Sequence, residues 1–262
     1  TRNYVSKDTL LDWLSIHGKE KQFRKDAVRK DYDVNLDFTK FLFKQGNDFE
    51  DAVIEYLRGE HGEENFEEVG SDHNDSRSLE KAEKTLELMK AGTPFILQAV
   101  LWNPNNRTFG MPDILARSDW INEITVEPSI DKKSAKEKAP ILGGDYHYII
   151  IDVKFTTLVF NAANTQLQNG HSSQKAYKTQ LAVYNKALGR LQEYEPPKAY
   201  LLGRKCSFTS RGEKNVSEHS LIRLAPVDFT GVDNEFYNMA EEAADWYRWV
   251  YNEGADWEVY PK

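Results

Sequence analysis

Three carboxylates, one amine and an amide–phenol pair stand where they can share one chemical task. Asp152 and Lys154 end the run Ile149-Ile150-Ile151-Asp152-Val153-Lys154-Phe155-Thr156. A β-branched run of this kind reads as a buried strand. On a strand, residues i and i+2 point to one face, so the carboxylate and the amine lie side by side. Burying either charge is costly unless it has a partner or a task. Asp113 follows Pro112 in Gly110-Met111-Pro112-Asp113, Glu50 closes Gly46-Asn47-Asp48-Phe49-Glu50, and Gln180 precedes Tyr184 by one helical turn. Glu50, Asp113 and Asp152 are hard oxygen donors, the type that Mg²⁺ or Mn²⁺ selects, and the backbone carbonyl of Val153 can complete such a set. Lys154 beside them can orient or activate a water, or neutralise charge developing on a phosphorane. A Lewis acid, a polarised water and a cation near the scissile phosphate are the parts of metal-assisted phosphodiester hydrolysis.

Each residue also has a plainer explanation. Glu50 can be an exposed helix glutamate, with Glu55 a rival on the same helix. Asp113 can be a turn residue, and Asp152 with Lys154 an internal ion pair or a strand running out into solvent. Gln180 and Tyr184 can be helix packing. Lys175, Lys178 and Lys186 can be solvated surface, or can contact a phosphate backbone.

The elements that must position these residues follow from hydrophobic spacing. Residues 3–17 read as a helix with Ser6 to Thr9 as its start signal, and 18–33 as a charged helical face carrying Arg24, Lys25, Arg29 and Lys30. Residues 37–58 read as a helical region, 59–75 as an acidic loop, and 76–91 as a helix ended by Gly92. Strand formers at 94–116 around the turn Asn103-Pro104-Asn105-Asn106 predict a hairpin. Residues 118–146, with Pro128, Pro140 and four lysines, read as an insertion or long flexible loop. Tyr146 to Thr156 is a third strand, and 161–172 a polar loop. Ser173 to Leu191 is a helix with Tyr177, Leu181, Tyr184 and Leu188 on one face. Strands are expected at 199–202 and 220–224, joined by a basic segment, and an amphipathic helix at 233–252 with Trp246, Tyr247 and Trp249 as packing residues. This order predicts an α/β sandwich with a mixed sheet covered by helices.

Composition sets the bounds. A chain of 262 residues with 40% hydrophobic residues can bury a sizeable core. A net charge of −8 argues against a protein that grips nucleic acid with its whole surface, while leaving room for a local basic groove. The single cysteine, Cys206, excludes an internal disulfide and a four-cysteine iron–sulfur cluster. His61, His73, His147 and His171 lack zinc spacing and read as surface or packing residues. No apolar run approaches the ~20 residues of a membrane span. Neither that nor a secretory leader is visible, so an intracellular setting is expected, cytoplasmic or nucleoid or nuclear. The start at Thr1 is what an excised piece of a longer chain would show.

Pro112-Asp113 followed by Asp152-x-Lys154 resembles the PD-(D/E)xK signature of restriction-endonuclease-like nucleases. The whole set, Gly46…Glu50, Gly110-Met111-Pro112-Asp113, Asp152-Val153-Lys154-Phe155-Thr156 and Gln180…Tyr184, resembles more narrowly the RecB-family exonuclease domains. The likeness covers residues 41–191. Residues 1–40 form an N-terminal helical extension outside it, residues 192–262 add C-terminal strands and a helix, and 118–146 is longer than the family pattern needs. The resemblance implies a single nuclease domain, a three-layer sandwich with a central mixed β-sheet flanked by helices. It also implies one or two Mg²⁺ or Mn²⁺ ions on Glu50, Asp113, Asp152 and the Val153 carbonyl, with Lys154 as the catalytic lysine. Tyr177, Lys178, Gln180 and Tyr184 would line the substrate. Glu50 stands where many relatives carry histidine. The expected activity is Mg²⁺-dependent cleavage of DNA, as an exonuclease. A structure- or sequence-specific endonuclease is the alternative. So is a non-catalytic nucleic-acid-binding module with a helicase or polymerase as partner or fusion.

Overall fold

The computed structural model describes residues 1–23, 37–170 and 172–258. The charged stretch expected at 24–33 and His171 lie outside the described residues.

The protein is α/β. Its main sheet has seven strands, both parallel and antiparallel. The order is β1 (Phe66–Glu68), β2 (Phe95–Leu97), β5 (Ile114–Arg117), β6 (Tyr148–Phe160), β7 (Lys198–Ser210), β8 (Glu213–Ser217), with β9 (Ala225–Asp228) also paired to β7. β6 runs antiparallel to β5 and parallel to β7, so it lies in the middle of the sheet. Its residues alternate between two cores. Tyr148 and Ile150 face one cluster, which includes Met89, Leu181, Leu188 and Phe236. Ile149, Ile151 and Val153 face the other, with Val53 and Leu57. Helices therefore cover both faces. α4 (Leu79–Ala91), α5 (Ser172–Gln192) and α6 (Glu235–Glu253) pack on the first face, and α3 (Phe38–His61) on the second. Asp152 and Lys154 continue the even-numbered face, under α5.

Local signals explain the ends of these helices. Asp37 accepts hydrogen bonds from the backbone N–H groups of Thr39 and Lys40 and caps α3. Ser78 caps α4, and Gly92, at φ 78°, closes it in the left-handed conformation that glycine adopts at least cost. The opening helix is two pieces, α1 (Arg2–Val5) and α2 (Leu10–His17), and Thr9 makes no side-chain cap bond.

Several expectations need correction. The hairpin at 94–116 is two nested pairs. β2 and β5 join the main sheet, while β3 (Leu101–Asn103) and β4 (Thr108–Gly110) peel off as a separate two-stranded sheet. Pro112, which has no N–H to donate, sits in the break. The basic segment at 204–214 is no connector: β7 runs on to Ser210 and turns back into β8 at Arg211 and Gly212, both with positive φ, as a two-residue hairpin requires. The strand expected at 220–224 begins instead at Ala225, after a 3₁₀ turn at Ser220–Ile222. Finally, 118–146 is not a loose loop, because Ile121, Ile124, Ala139 and Leu142 are buried in the two cores. The acidic stretch 59–75 likewise holds the short edge strand β1. Trp246 and Trp249 pack against each other and Trp257 as expected, though Trp249 and Tyr247 remain about half exposed. Among the described residues no helix is long and apolar enough to cross a membrane.

Candidate active site

The last paired rung between β5 and β6 joins Ile114 to Ile151. Asp113 and Asp152 stand one position beyond it, on neighbouring chains. Asp113 is not in the strand itself but in the bend that precedes β5. Its Oδ2 accepts the backbone N–H of Val153 at 2.6 Å, across a sequence separation of 40. Its own carbonyl accepts the N–H of Gln98 at 2.9 Å. Asp113 is thus held by backbone on both sides.

Lys154 Nζ forms a close ion pair with Asp152 Oδ2 and lies 3.9 Å from Asp113 Oδ2. The Asp152 side chain is 1% exposed, and its Oδ2 accepts no hydrogen bond of good geometry. Immediately after Lys154, β6 carries one extra residue relative to β7, a bulge between Lys154 and Thr157. Bulges of this kind re-aim side chains beside functional sites. Glu50 enters from α3, and its carboxylate accepts a short hydrogen bond from Gln98 Nε2.

α5 supplies the roof. Gln180 Nε2 donates to the Tyr184 hydroxyl at 2.7 Å, and Lys154 Nζ lies 5.7 Å from the centre of the Tyr177 ring. Tyr184 rests directly on Gly110: a Cβ there would sit 2.0 Å from the tyrosine ring. Two motifs separated in sequence are therefore one physical contact, and the glycine is needed for space.

The electrostatics follow from this crowding. Burial raises the Asp113 pKa well above the usual carboxylate range, and the neighbouring Asp152 raises it further against the opposing pull of Lys154. Burial likewise raises Glu50; Lys154 opposes that rise, while Asp152 and Asp51 add to it. Burial alone would lower Lys154, but Asp152 and Asp113 outweigh it, and the amine is held firmly protonated. Burial raises the Tyr184 phenol, and the Asp152 charge adds to the rise. The pocket holds more negative charge than its one lysine balances.

Among the described residues, no three Asp, Glu, His or Cys side chains converge as ligands of one ion. Lys154 and Gln98 occupy the carboxylates instead. The donor set is nonetheless the kind a hard divalent cation takes: carboxylate oxygens crowded into one buried pocket, on Glu50 and Asp113 with raised pKa and on Asp152 beside them.

Of the residues expected to line a substrate, Tyr177, Gln180 and Tyr184 do face the site. Lys178 does not. Its side chain is fully buried, with Nζ 2.6 Å from Asp233 Oδ1 and further bonds to the Leu167 carbonyl and Asn169 Oδ1. It staples α5 to the turn before α6. Lys186 pairs with Glu195. Glu55, the rival to Glu50, is exposed on the next turn of α3. His147 Nδ1 donates to the Glu137 carbonyl and His61 packs beside Phe95, as expected of packing residues. Gln98 was not legible beforehand. It sits at φ 47° between two strand fragments, a backbone state that side-chain patterning does not reveal.

No protein-family model matches this chain, and no curated protein matches it.

Proposed function

We propose that the chain is a divalent-metal-dependent nuclease of restriction-endonuclease-like, three-layer fold that hydrolyses phosphodiester bonds in DNA. One observation carries this reading. Asp113 and the Asp152–Lys154 pair lie far apart in sequence, yet they meet at the end of the central strands, with the ammonium 3.9 Å from one carboxylate and in contact with the other. The RecB-like resemblance supports the exonuclease form.

Glu50, Asp113 and Asp152 would hold Mg²⁺ or Mn²⁺, with the Val153 carbonyl as a further donor. A cation held there supplies Lewis acidity to the scissile phosphate and acidity to an attacking water. Asp113 is fixed by the Val153 N–H, so its position does not depend on a free rotamer. Lys154, in contact with Asp152 and 3.9 Å from Asp113, places a cation where the phosphate oxygens would lie. Water adds to phosphorus as the P–O3′ bond breaks. Its proton passes to the leaving oxygen, and the products are a 5′-phosphate and a 3′-hydroxyl. Gln180 and Tyr184 hold the strand from the side of α5.

The rival is a nucleic-acid-binding module without chemistry. Labelled single-stranded and duplex DNA incubated with Mg²⁺, Mn²⁺ or EDTA separates the two. Metal-dependent cutting that vanishes in folded Asp113→Asn and Lys154→Met variants supports the nuclease. Binding without cutting under every metal condition supports the module.

A further inference from the structure

Two grooves meet at Glu50, Gln180, Tyr184 and Phe109, and their charges are opposite. The first, about 1300 Å³, runs between α1, the start of α3, the β3–β4 hairpin and α6. It is lined by Arg2, Arg77, Arg107, Arg248 and Lys154, with Glu50 its one carboxylate among the described residues. Aromatic rings stand between these cations. Phe38 is 70% exposed, Phe43 64%, Tyr247 45% and Phe109 41%. The Arg77 guanidinium lies 5.4 Å over the Phe109 ring. Arg248 is partly committed to Asp245 and to the Asn106 carbonyl, whereas Arg77 and Arg107 make no ion pair among the described residues.

The second groove, about 990 Å³, continues past Asp113 between α3, β1 and the turn before α4. Beyond Glu50 and Asp113 it presents Asp51, Glu55, Glu63, Glu68 and Asp72, against one cation among the described residues, Arg58. Arg58 is itself spent on Glu63 and Glu68.

A polyanion is attracted along the first groove and repelled by the second. Exposed rings among arginines suit unpaired bases, whose faces are free to stack, whereas a duplex hides them. The first groove also exceeds the ~300–1,000 Å³ of small-molecule sites, which suits a polymer. We propose that single-stranded DNA enters along the arginine–aromatic groove and that its end halts against the acidic wall beyond Asp113. The site then removes short pieces from ends and spares strands without ends. This rests on the nuclease reading for its chemistry, but the one-way passage concerns binding and is tested separately.

The test uses the full chain with a linear single-stranded oligonucleotide and a closed circle of the same sequence. Fluorescence anisotropy in EDTA measures binding, and gel analysis with Mn²⁺ measures cleavage. The linear strand is expected to bind at least tenfold more tightly than the circle, and to yield short products from the earliest times. Arg77→Glu with Arg107→Glu lowers affinity for the linear strand at least tenfold and flattens its salt dependence. Asp51→Lys with Glu55→Lys, both at exposed positions, opens the far side: the circle now binds and is cut, and products lengthen. Equal binding of line and circle by the wild type overturns the one-way passage, as does cutting of the circle at the rate of the line. Unchanged affinity in the arginine variant overturns the entry groove. If the binding pattern holds while nothing is cut, the nuclease reading fails and the passage stands.

Discussion

Lys154→Met separates a working site from an incidental ion pair. The substitution keeps most of the side-chain volume and removes the charge. Lys154 is 19% exposed, Asp113 13% and Asp152 1%, so solvent screening is weak. At 3.9 Å the attraction to Asp113 alone is about 4 kcal/mol for an effective dielectric of ~20. Desolvation of the ammonium offsets part of the total, and truncating one partner of a buried pair typically costs ~3–5 kcal/mol because the other charge is stranded. For a chain of this size that is a fall of roughly 6–20 °C in melting temperature. Equilibrium unfolding in urea, followed by tryptophan fluorescence in EDTA, reads the difference directly. The second arm adds Mn²⁺. If the carboxylates hold a cation, Mn²⁺ stabilises the variant more than the wild type, since it replaces a charge the variant lacks. A loss below ~0.5 kcal/mol in EDTA would refute the charge accounting. A gap between variant and wild type that Mn²⁺ leaves unchanged would refute the cation site.

Three further outcomes are expected. Gly110→Ala pushes a methyl group into the Tyr184 ring, so it destabilises by ~1–3 kcal/mol, read by unfolding, and on the proposed nuclease reading it lowers DNA cleavage in step with displacement of the tyrosine. Lys178→Met strands the buried Asp233 and costs ~3–5 kcal/mol; DNA affinity per folded molecule is unchanged, because this lysine faces the protein interior. Burial lowers the His147 pKa, so the native state resists its protonation. The unfolded chain takes up that proton below about 6.5, and stability is therefore lost as pH falls from there toward the folded value. His147→Asn should flatten this part of a plot of unfolding free energy against pH, and an unaltered slope would count against it.

Much of the candidate site was legible because each motif rests on a local rule. The isoleucine run before Asp152 marks a doubly buried strand, and the parity of residues 152 and 154 puts both charges on one face. Gln180 and Tyr184 follow from helical spacing. What failed required partners distant in sequence. Lys178 looked like a surface cation because α5 has one obvious apolar face. The chain does not announce that α6 and Asp233 cover another. The β7–β8 hairpin was hidden because its strands extend beyond the helical layers, so charged residues such as Arg204 and Lys214 replace the apolar alternation. The 118–146 stretch looked loose because its turns and lysines outnumber the few isoleucines and leucines that anchor it. Gln98, which touches both Glu50 and Asp113, carries no local signal at all.

The hydrogen bond from the Val153 N–H to the Asp113 carboxylate bears on how loss of function would look in descendants of this chain. That oxygen stands in for a backbone carbonyl at the end of the β5–β6 ladder. Removing it leaves a buried N–H unsatisfied, at ~1–3 kcal/mol whether or not any chemistry occurs. A lineage that had abandoned catalysis would still be held to an acceptor, Asp or Asn, at position 113. Asp152 and Lys154 pair chiefly with each other, with Asp113 3.9 Å from the amine, and an apolar strand end could replace the two together. The fate of the pair, rather than of Asp113, is therefore the mark by which a living site can be told from a relic.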